Sequence, residues 1–182
     1  MFELPLAEGV SLSFQRYPLP ESGVLAALPA SAGALPCCSA GPGRFLVALP
    51  EGEGCWIGIT ASPGAPPVRV SLSIRGVDGR AVDPLSGKEG DQPPGLSRVR
   101  VPPSAQVPGI SRNDGGWWWC LRRPPAPAGL PAIRSLDVYA GGHDSAASLR
   151  ARFVPAAVFE RLGGGTTPPL RPDARYGGWR LP

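Results

Sequence analysis

The chain has few of the residue types from which catalytic sites are usually built. It contains one histidine, His143, and no G-x-S-x-G sequence that would expose a nucleophilic serine. His143, Asp144 and Ser145 are adjacent, and adjacent residues cannot form a catalytic triad among themselves. The glycine-rich sequence RLGGGTTPP at 161–169 lacks the GK[ST] ending of a phosphate-binding loop. We therefore expect a protein that is not an enzyme and uses no cofactor.

The cysteines do not form a metal-binding pattern. They are Cys37, Cys38, Cys55 and Cys120, with no C-x-x-C pair and no histidine nearby, so we expect no zinc site. Cys55 and Cys120 lie in apolar sequences and are predicted to be buried thiols, with a disulfide between them as the alternative. The acidic residues at 83–91 lack the order of a calcium loop, and we expect solvated charges there.

Long apolar runs are also missing. No stretch approaches the roughly 18 apolar residues of a membrane helix. The N-terminal sequence MFELPLAEGV has neither a basic start nor an apolar run of the kind that directs export. These features predict a protein that is made in the cytoplasm without a signal peptide, has no membrane partner and can be incorporated into a larger particle.

Glycine and proline are abundant, with 25 of each in 182 residues. Proline at this density interrupts helices and central strands, so short strands joined by stiff loops are expected. Hydrophobic residues make up 42% of the chain, which is near the norm for a globular domain. We predict one domain over 1–165, with a long loop at 18–43, and an irregular C-terminal tail at 166–182.

Alternation of apolar and polar residues is the clearest structural signal. In VRVSLSIR at 68–75, valine, leucine and isoleucine alternate with arginine and serine, as in a strand with one buried face. The sequences at 97–102 and 148–153 repeat this pattern. A short helix is predicted near 155–162, between a proline and a glycine run. The predicted fold is all-β, an antiparallel β-sandwich or jelly-roll-like barrel with long Pro/Gly-rich loops.

The charge is distributed unevenly along the chain. Residues 1–91 carry six basic and nine acidic groups, a net charge of −3, whereas residues 92–182 carry twelve and five, a net charge of +7. Lys88 is the only lysine, so arginine supplies seventeen of the eighteen basic groups. A GC-rich coding sequence explains this bias without any function. The alternative is that arginine side chains bind carboxylates or phosphates at an interface.

Six arginines occupy the polar positions of the alternating segments. If those strands are neighbours, their arginines form a basic sheet face that could bind phosphates, an acidic polysaccharide or an acidic subunit. The alternative is a solvated face that discourages aggregation at the sheet edge. These arginines are Arg69, Arg75, Arg98, Arg100, Arg150 and Arg152.

Three of the five tryptophans stand side by side in NDGGWWWCLRR at 113–123. In a strand, Trp117 and Trp119 point to one face and Trp118 to the other. If the first two enter the core, Trp118 is either covered by a loop or exposed as a binding surface. An exposed ring of this kind could stack on a sugar or a base, or dock a neighbouring subunit.

These features predict a non-enzymatic structural or assembly protein, such as a coat, capsid, decoration or baseplate-like subunit, that acts through interfaces with other protein subunits. The alternative is a carbohydrate- or nucleic-acid-binding module that holds a glycan or another anionic polymer. Removal of 166–182 is expected to leave the domain folded and to weaken association. The residues predicted to bind are Trp118, Arg98, Arg100, Arg122, Arg123, Arg150, Arg152, Tyr176 and Trp179.

Overall fold

The protein is mostly β. A computed structural model describes residues 1–19, 24–93, 95–118, 133–141 and 146–170. Strands make up 51% of this structure and helix makes up 4%, which confirms the prediction of a β protein. The strands are β1 (Glu3–Ala7), β2 (Val10–Pro18), β3 (Val24–Leu25), β4 (Cys37–Gly41), β5 (Arg44–Ala48), β6 (Glu53–Ala61), β7 (Val68–Gly76), β8 (Ala81–Val82), β9 (Val99–Val101), β10 (Ala105–Val107), β11 (Ile110–Ser111), β12 (Trp117–Trp118), β13 (Ile133–Gly141) and β14 (Ala146–Val154).

The described residues contain one helix, α1 (Ala156–Arg161), which confirms the short helix predicted near 155–162. Pro155 precedes the helix with an extended backbone, and glycines at 163–165 follow it. Phe159 is the buried residue of α1, and it packs with Ala48 and Val154 against one end of the sheet that contains β5 and β14. No helix that these residues form is long and apolar enough to cross a membrane.

Seven strands form the larger sheet. Their order is β4-β5-β14-β13-β7-β8, and β9 pairs with β7. The pairs are antiparallel except for β5 and β14, which run parallel. A second sheet has the order β1-β2-β6-β10, and three short strands form a third with the order β11-β12-β3. All three sheets are open within the described residues, so the barrel alternative is wrong for this part of the chain.

The main core consists largely of apolar residues from the two larger sheets. On β7, Val70 and Leu72 are completely buried, as the alternating pattern predicts. Phe14 of β2 and Phe153 of β14 meet edge to face, with ring centroids 5.2 Å apart. Side chains of both sheets belong to one apolar cluster, so burial of the two inner faces stabilises both sheets together.

The segment 18–43, which the sequence predicts as a long loop, contains the short strands β3 and β4. β4 pairs with β5, and β3 pairs with β12. Between them, the Pro29 carbonyl accepts a hydrogen bond of 3.0 Å from the Trp56 indole. The small residues and prolines of this segment show no alternation, so its pairing depends on distant strands and leaves no local pattern to read.

A buried ion pair connects the second sheet to the segment after α1. Arg16 on β2 donates to both carboxylate oxygens of Glu53 on β6, at 2.7 and 2.5 Å. Its third nitrogen donates to the Pro168 carbonyl at 2.8 Å. Both charged side chains are buried, so residue 168 supplies a hydrogen bond to the folded domain although it lies within the predicted tail at 166–182.

Candidate functional site

Alternation on the strands of the larger sheet sends polar side chains away from the core. We call this side of the sheet the outer face. The strand register places residues of β7, β13, β14 and β5 side by side on it, because directly paired residues share a face. The polar residues of the outer face are Arg44, Arg69, Ser71, Ser73, Arg75, Arg100, Ser135, Asp137, Tyr139, Ser148, Arg150 and Arg152. The register also places Leu46 on this face, beside Arg152.

Two adjoining depressions occupy the outer face. The first, with a volume of about 520 Å³, is a groove lined by Arg69, Ser71, Pro93, Arg98, Tyr139, Ala140, Gly141, Ala147 and Ser148. The second, of about 300 Å³, is lined by Pro42, Gly43, Arg44, Asp137, Tyr139, Ser148, Leu149 and Arg150. Tyr139 and Ser148 line both, so the two depressions form a continuous surface across the sheet.

Among the described residues that line the groove, two are arginines and none is acidic. Arg69 projects from β7, and Arg98 approaches from the segment just before β9. Both side chains are exposed. Among the described residues, no carboxylate forms an ion pair with either arginine. Two unneutralised guanidinium groups on one groove produce a positive potential that attracts anions.

Two pairs of arginines are directly opposite each other on the outer face. Arg69 pairs with Arg100 across β7 and β9, and Arg44 pairs with Arg150 across β5 and β14. Like charges at paired positions destabilise a sheet. In the described part of the chain only Arg150 of these four has an acidic partner. The fold therefore retains an unfavourable charge arrangement that a bound anion would relieve.

Asp137 neutralises Arg150 at the centre of the outer face. The Asp137 carboxylate is buried and accepts hydrogen bonds from Nε of Arg150 at 2.5 Å and from Nη2 at 3.1 Å. This pairing raises the pKa of Arg150 above its ordinary value. Tyr139 lies next to the pair, and desolvation together with the Asp137 charge raises the pKa of its phenol. Asp137 is thus already occupied and adds little negative charge to the groove.

Asp83 anchors the loop that leads to Arg98. Its carboxylate accepts hydrogen bonds from the backbone amides of Leu85 and Ser97, at 2.9 and 2.8 Å, and from the Ser86 hydroxyl at 2.8 Å. Burial opposes ionisation of Asp83, but these hydrogen bonds, led by those from Ser97, outweigh it and lower the pKa. The bond to Ser97 fixes the backbone one residue before Arg98.

The same loop covers part of the outer face. The Ser73 hydroxyl donates to the Gly90 carbonyl at 2.9 Å, and the Tyr139 hydroxyl donates to the Asp91 carbonyl at 3.1 Å. Ser73 is therefore completely buried on the outer face, and Ser71 beside it is also buried. No group of three His, Cys, Asp or Glu residues that could hold a metal ion occurs in the described residues.

The two described tryptophans of the WWW sequence pack on different apolar clusters. Trp118 lies against the main core, and the Arg112 guanidinium is 4.4 Å from the centroid of its ring. Trp117 packs against Tyr17, Leu25 and Trp56. Trp118, rather than Trp117, therefore points to the main core. Both rings are half-buried, so both faces of β12 have packing partners within the chain.

The structure brings together most of the arginines that the sequence singles out. Arg98 lines the groove, and Arg100, Arg150 and Arg152 lie on the outer face. Trp118 does not lie with them. Four predicted residues, Arg122, Arg123, Tyr176 and Trp179, fall outside the described residues, as do His143 and Cys120.

Sequence reasoning missed Arg44 and Tyr139. Arg44 follows a glycine-rich turn, and it reaches the outer face through the parallel pairing of β5 with β14, which no local pattern reveals. Tyr139 could have been found, because it alternates with Leu136 and Val138 in IRSLDVYAG and shares the polar face with Asp137. Its role as the residue common to both depressions depends on the neighbouring strands.

Comparison of the chain with models of known protein families, with curated proteins and with solved structures finds no match. The function is therefore argued from the geometry of the outer face.

Proposed function

We propose that this protein is a non-enzymatic β-sandwich that binds an anionic ligand on the outer face of its larger sheet. The observation that carries the proposal is the groove in which Arg69 and Arg98 face solvent without an acidic partner among the described residues. Of the two functions that the sequence favours, the binding module has this structural support. The tryptophans contribute less than expected, because Trp117 and Trp118 pack within the fold.

Arginine is suited to this task because its planar guanidinium donates two parallel hydrogen bonds to a carboxylate, sulfate or phosphate group. Arg69 lies on a strand that is paired on both sides, with β13 and with β9. Arg98 is held by the loop that Asp83 anchors. A ligand therefore meets two donors whose backbones are already fixed, which reduces the entropy lost on binding.

Titration of the protein with a sulfated polysaccharide and with a polyuronate tests the proposal. The double variant Arg69→Gln/Arg98→Gln is expected to bind about 10-fold to 100-fold more weakly, the usual effect of losing hydrogen bonds to charged groups. Arg161→Gln is the matched control, because Arg161 is an exposed arginine at the end of α1. Equal affinities for all three proteins, or no binding of any polyanion, would refute the proposal.

A structural or assembly role, as a coat, capsid, decoration or baseplate-like subunit, is our second proposal. The breadth of the outer face favours it, because exposed arginines run from Arg100 on β9 to Arg44 on β5. Four strand spacings separate these strands, a distance of about 19 Å, which is wide enough for the acidic surface of another subunit. Sedimentation at low and high salt tests this role. A concentration-dependent complex that dissociates in salt is expected, because salt screens exposed charges within about 8–10 Å.

The finer description of the fold is also part of the proposal. We propose a sandwich of mainly antiparallel sheets with jelly-roll-like strand spacing and long Pro/Gly-rich loops. The edge-to-face contact of Phe14 with Phe153 supports this arrangement, because it joins the inner faces of the two larger sheets.

A further inference from the structure

We infer that the ligand is a linear acidic oligosaccharide whose carboxylate or sulfate groups occupy two arginine subsites, one on each side of Tyr139. This inference rests on the proposed function and specifies the ligand of the same face. The first subsite consists of Arg69, Arg98 and Arg100. The second consists of Arg44 and Arg150. Tyr139 and Ser148, which line both depressions, connect the two subsites.

The first subsite gathers three arginines, one each from β7, from β9 and from the segment just before β9. Arg69 and Arg100 are paired across β7 and β9, and Arg98 lines the groove beside Arg69. All three are exposed, and none has an acidic partner in the described ranges. An anion placed here compensates at least two positive charges, so this subsite is expected to supply most of the affinity.

The second subsite has a single unneutralised charge. Arg150 is held by Asp137 through two hydrogen bonds, and Arg44 lies directly beside Arg150 on the next strand. Among the described residues, Arg44 itself has no carboxylate partner. This subsite is therefore expected to bind a second anionic group of the same ligand and to add less affinity than the first.

The separation of the subsites requires an extended ligand. Arg69 and Arg44 are three strands apart in the sheet, about 14 Å, and four residues apart along it, about 13 Å. The diagonal between the two backbone positions is therefore about 20 Å. A single sulfate or phosphate ion cannot span this distance, whereas a chain of several sugar rings can.

The surface between the subsites favours a sugar over a nucleic acid. Its lining includes three residues that carry a hydroxyl group, Ser71, Ser148 and Tyr139, and the small residues Ala140, Gly141 and Ala147. Hydroxyl groups can both donate to and accept from the hydroxyl groups of a sugar ring. Proteins that bind single-stranded nucleic acid stack successive bases on several aromatic rings, whereas Tyr139 is the one aromatic residue among the described residues that line the two depressions.

A series of oligogalacturonates of increasing length, from the monomer to the octamer, tests the inference by calorimetry. Affinity for the wild-type protein is expected to rise with length until the chain reaches both subsites and then to level off. Arg44→Gln is expected to leave binding of the shortest oligomers unchanged and to remove about a tenfold gain for the long ones. Arg69→Gln/Arg98→Gln is expected to weaken binding at every length. Arg161→Gln should behave as the wild type.

Three results would overturn the inference. Affinity that does not change with chain length would exclude two subsites. An equal loss at every length in Arg44→Gln would exclude a separate second subsite. Tighter binding of an oligothymidylate with the same number of charges would show that the ligand is a nucleic acid. That result would exclude the oligosaccharide as the ligand and would leave the proposed anion-binding function intact. Unchanged unfolding midpoints of the variants exclude misfolding as the cause of any loss.

Discussion

Adjacent residues of β7 are buried for different reasons. Leu72 points into the main apolar cluster, to which both larger sheets contribute, whereas Ser73 points to the outer face and is covered there by the loop that contains Gly90. Burial on both faces explains why a strictly alternating sequence does not produce alternating exposure along this strand. A two-residue period reports which face a side chain lies on, but not what covers that face.

Leu72→Ala should lower the free energy of unfolding by about 2–5 kcal/mol, because it leaves a cavity in a close-packed core. Leu72 has no solvent exposure. Val77→Ala is the matched control, because Val77 is an exposed apolar residue in the turn after β7, with 59% exposure, and should change stability by less than about 0.5 kcal/mol. Denaturant unfolding of both variants checks this. Equal shifts of the two midpoints would contradict the assignment of Leu72 to the core.

The free energy of unfolding should fall more when one partner of the buried pair Arg16–Glu53 is replaced than when both partners are replaced. Glu53→Leu leaves a buried guanidinium without its carboxylate, and we expect a loss of about 3–5 kcal/mol. Arg16→Met/Glu53→Leu removes both charges and should lose much less. Chemical unfolding of the two variants gives the comparison. A double variant that is less stable than Glu53→Leu would show that Arg16 stabilises the fold mainly through hydrogen bonds outside the ion pair, such as the one to the Pro168 carbonyl.

Among the elements, the loop from 83 to 98 is anchored near both of its ends by the Asp83 carboxylate. The folded protein lowers the pKa of Asp83 below its ordinary value of 3.8. Its stabilising effect is therefore complete above about pH 4 and is lost as pH falls through the lowered pKa. Asp83→Asn should cost about 1–3 kcal/mol at neutral pH and should flatten the fall in stability on the acid side. Unfolding measured between neutral and acidic pH checks this, and an unchanged acid slope would exclude Asp83 as the cause.

The segment after α1 allows a comparison of two deletions. Removal of 171–182 keeps the Pro168 carbonyl that accepts from the buried Arg16, whereas removal of 166–182 deletes it. The longer deletion should therefore be less stable than the shorter one by about 1–3 kcal/mol, the cost of leaving a buried donor unsatisfied. Thermal or chemical unfolding of the two shortened chains measures the difference. Equal stability would show that the contact at Pro168 contributes nothing.

The elements with a clear alternating period are those that the sequence predicts. β7 and β14 lie where arginine and serine alternate with apolar residues, and α1 lies between its proline and glycine signals. β4 and the parallel pairing of β5 with β14 could not be predicted, because which strands become neighbours depends on contacts distant in sequence. The position of Arg44 beside Arg150 depends on that pairing, which explains why the second subsite has no sequence signal.

At the scale of the whole molecule, the fold mixes the acidic and basic halves of the chain. The half at 1–91 has a net charge of −3 and the half at 92–182 has +7. The outer face nevertheless takes Arg44 and Arg69 from the first half and Arg100 and Arg150 from the second. The basic surface is therefore a product of strand order in the larger sheet, and the division of charge along the sequence does not predict where it lies.

Modification of arginine side chains by a dicarbonyl reagent, with and without a bound polyuronate, tests most directly whether the outer face binds anions. Mass spectrometry of the digested protein measures the rate at each position. The ligand should slow the modification of Arg69, Arg98 and Arg44, whose side chains are exposed and lack acidic partners in the described structure. The rate at Arg161 on α1 should not change. Unchanged rates at Arg69, Arg98 and Arg44, with protection only elsewhere, would contradict this binding site.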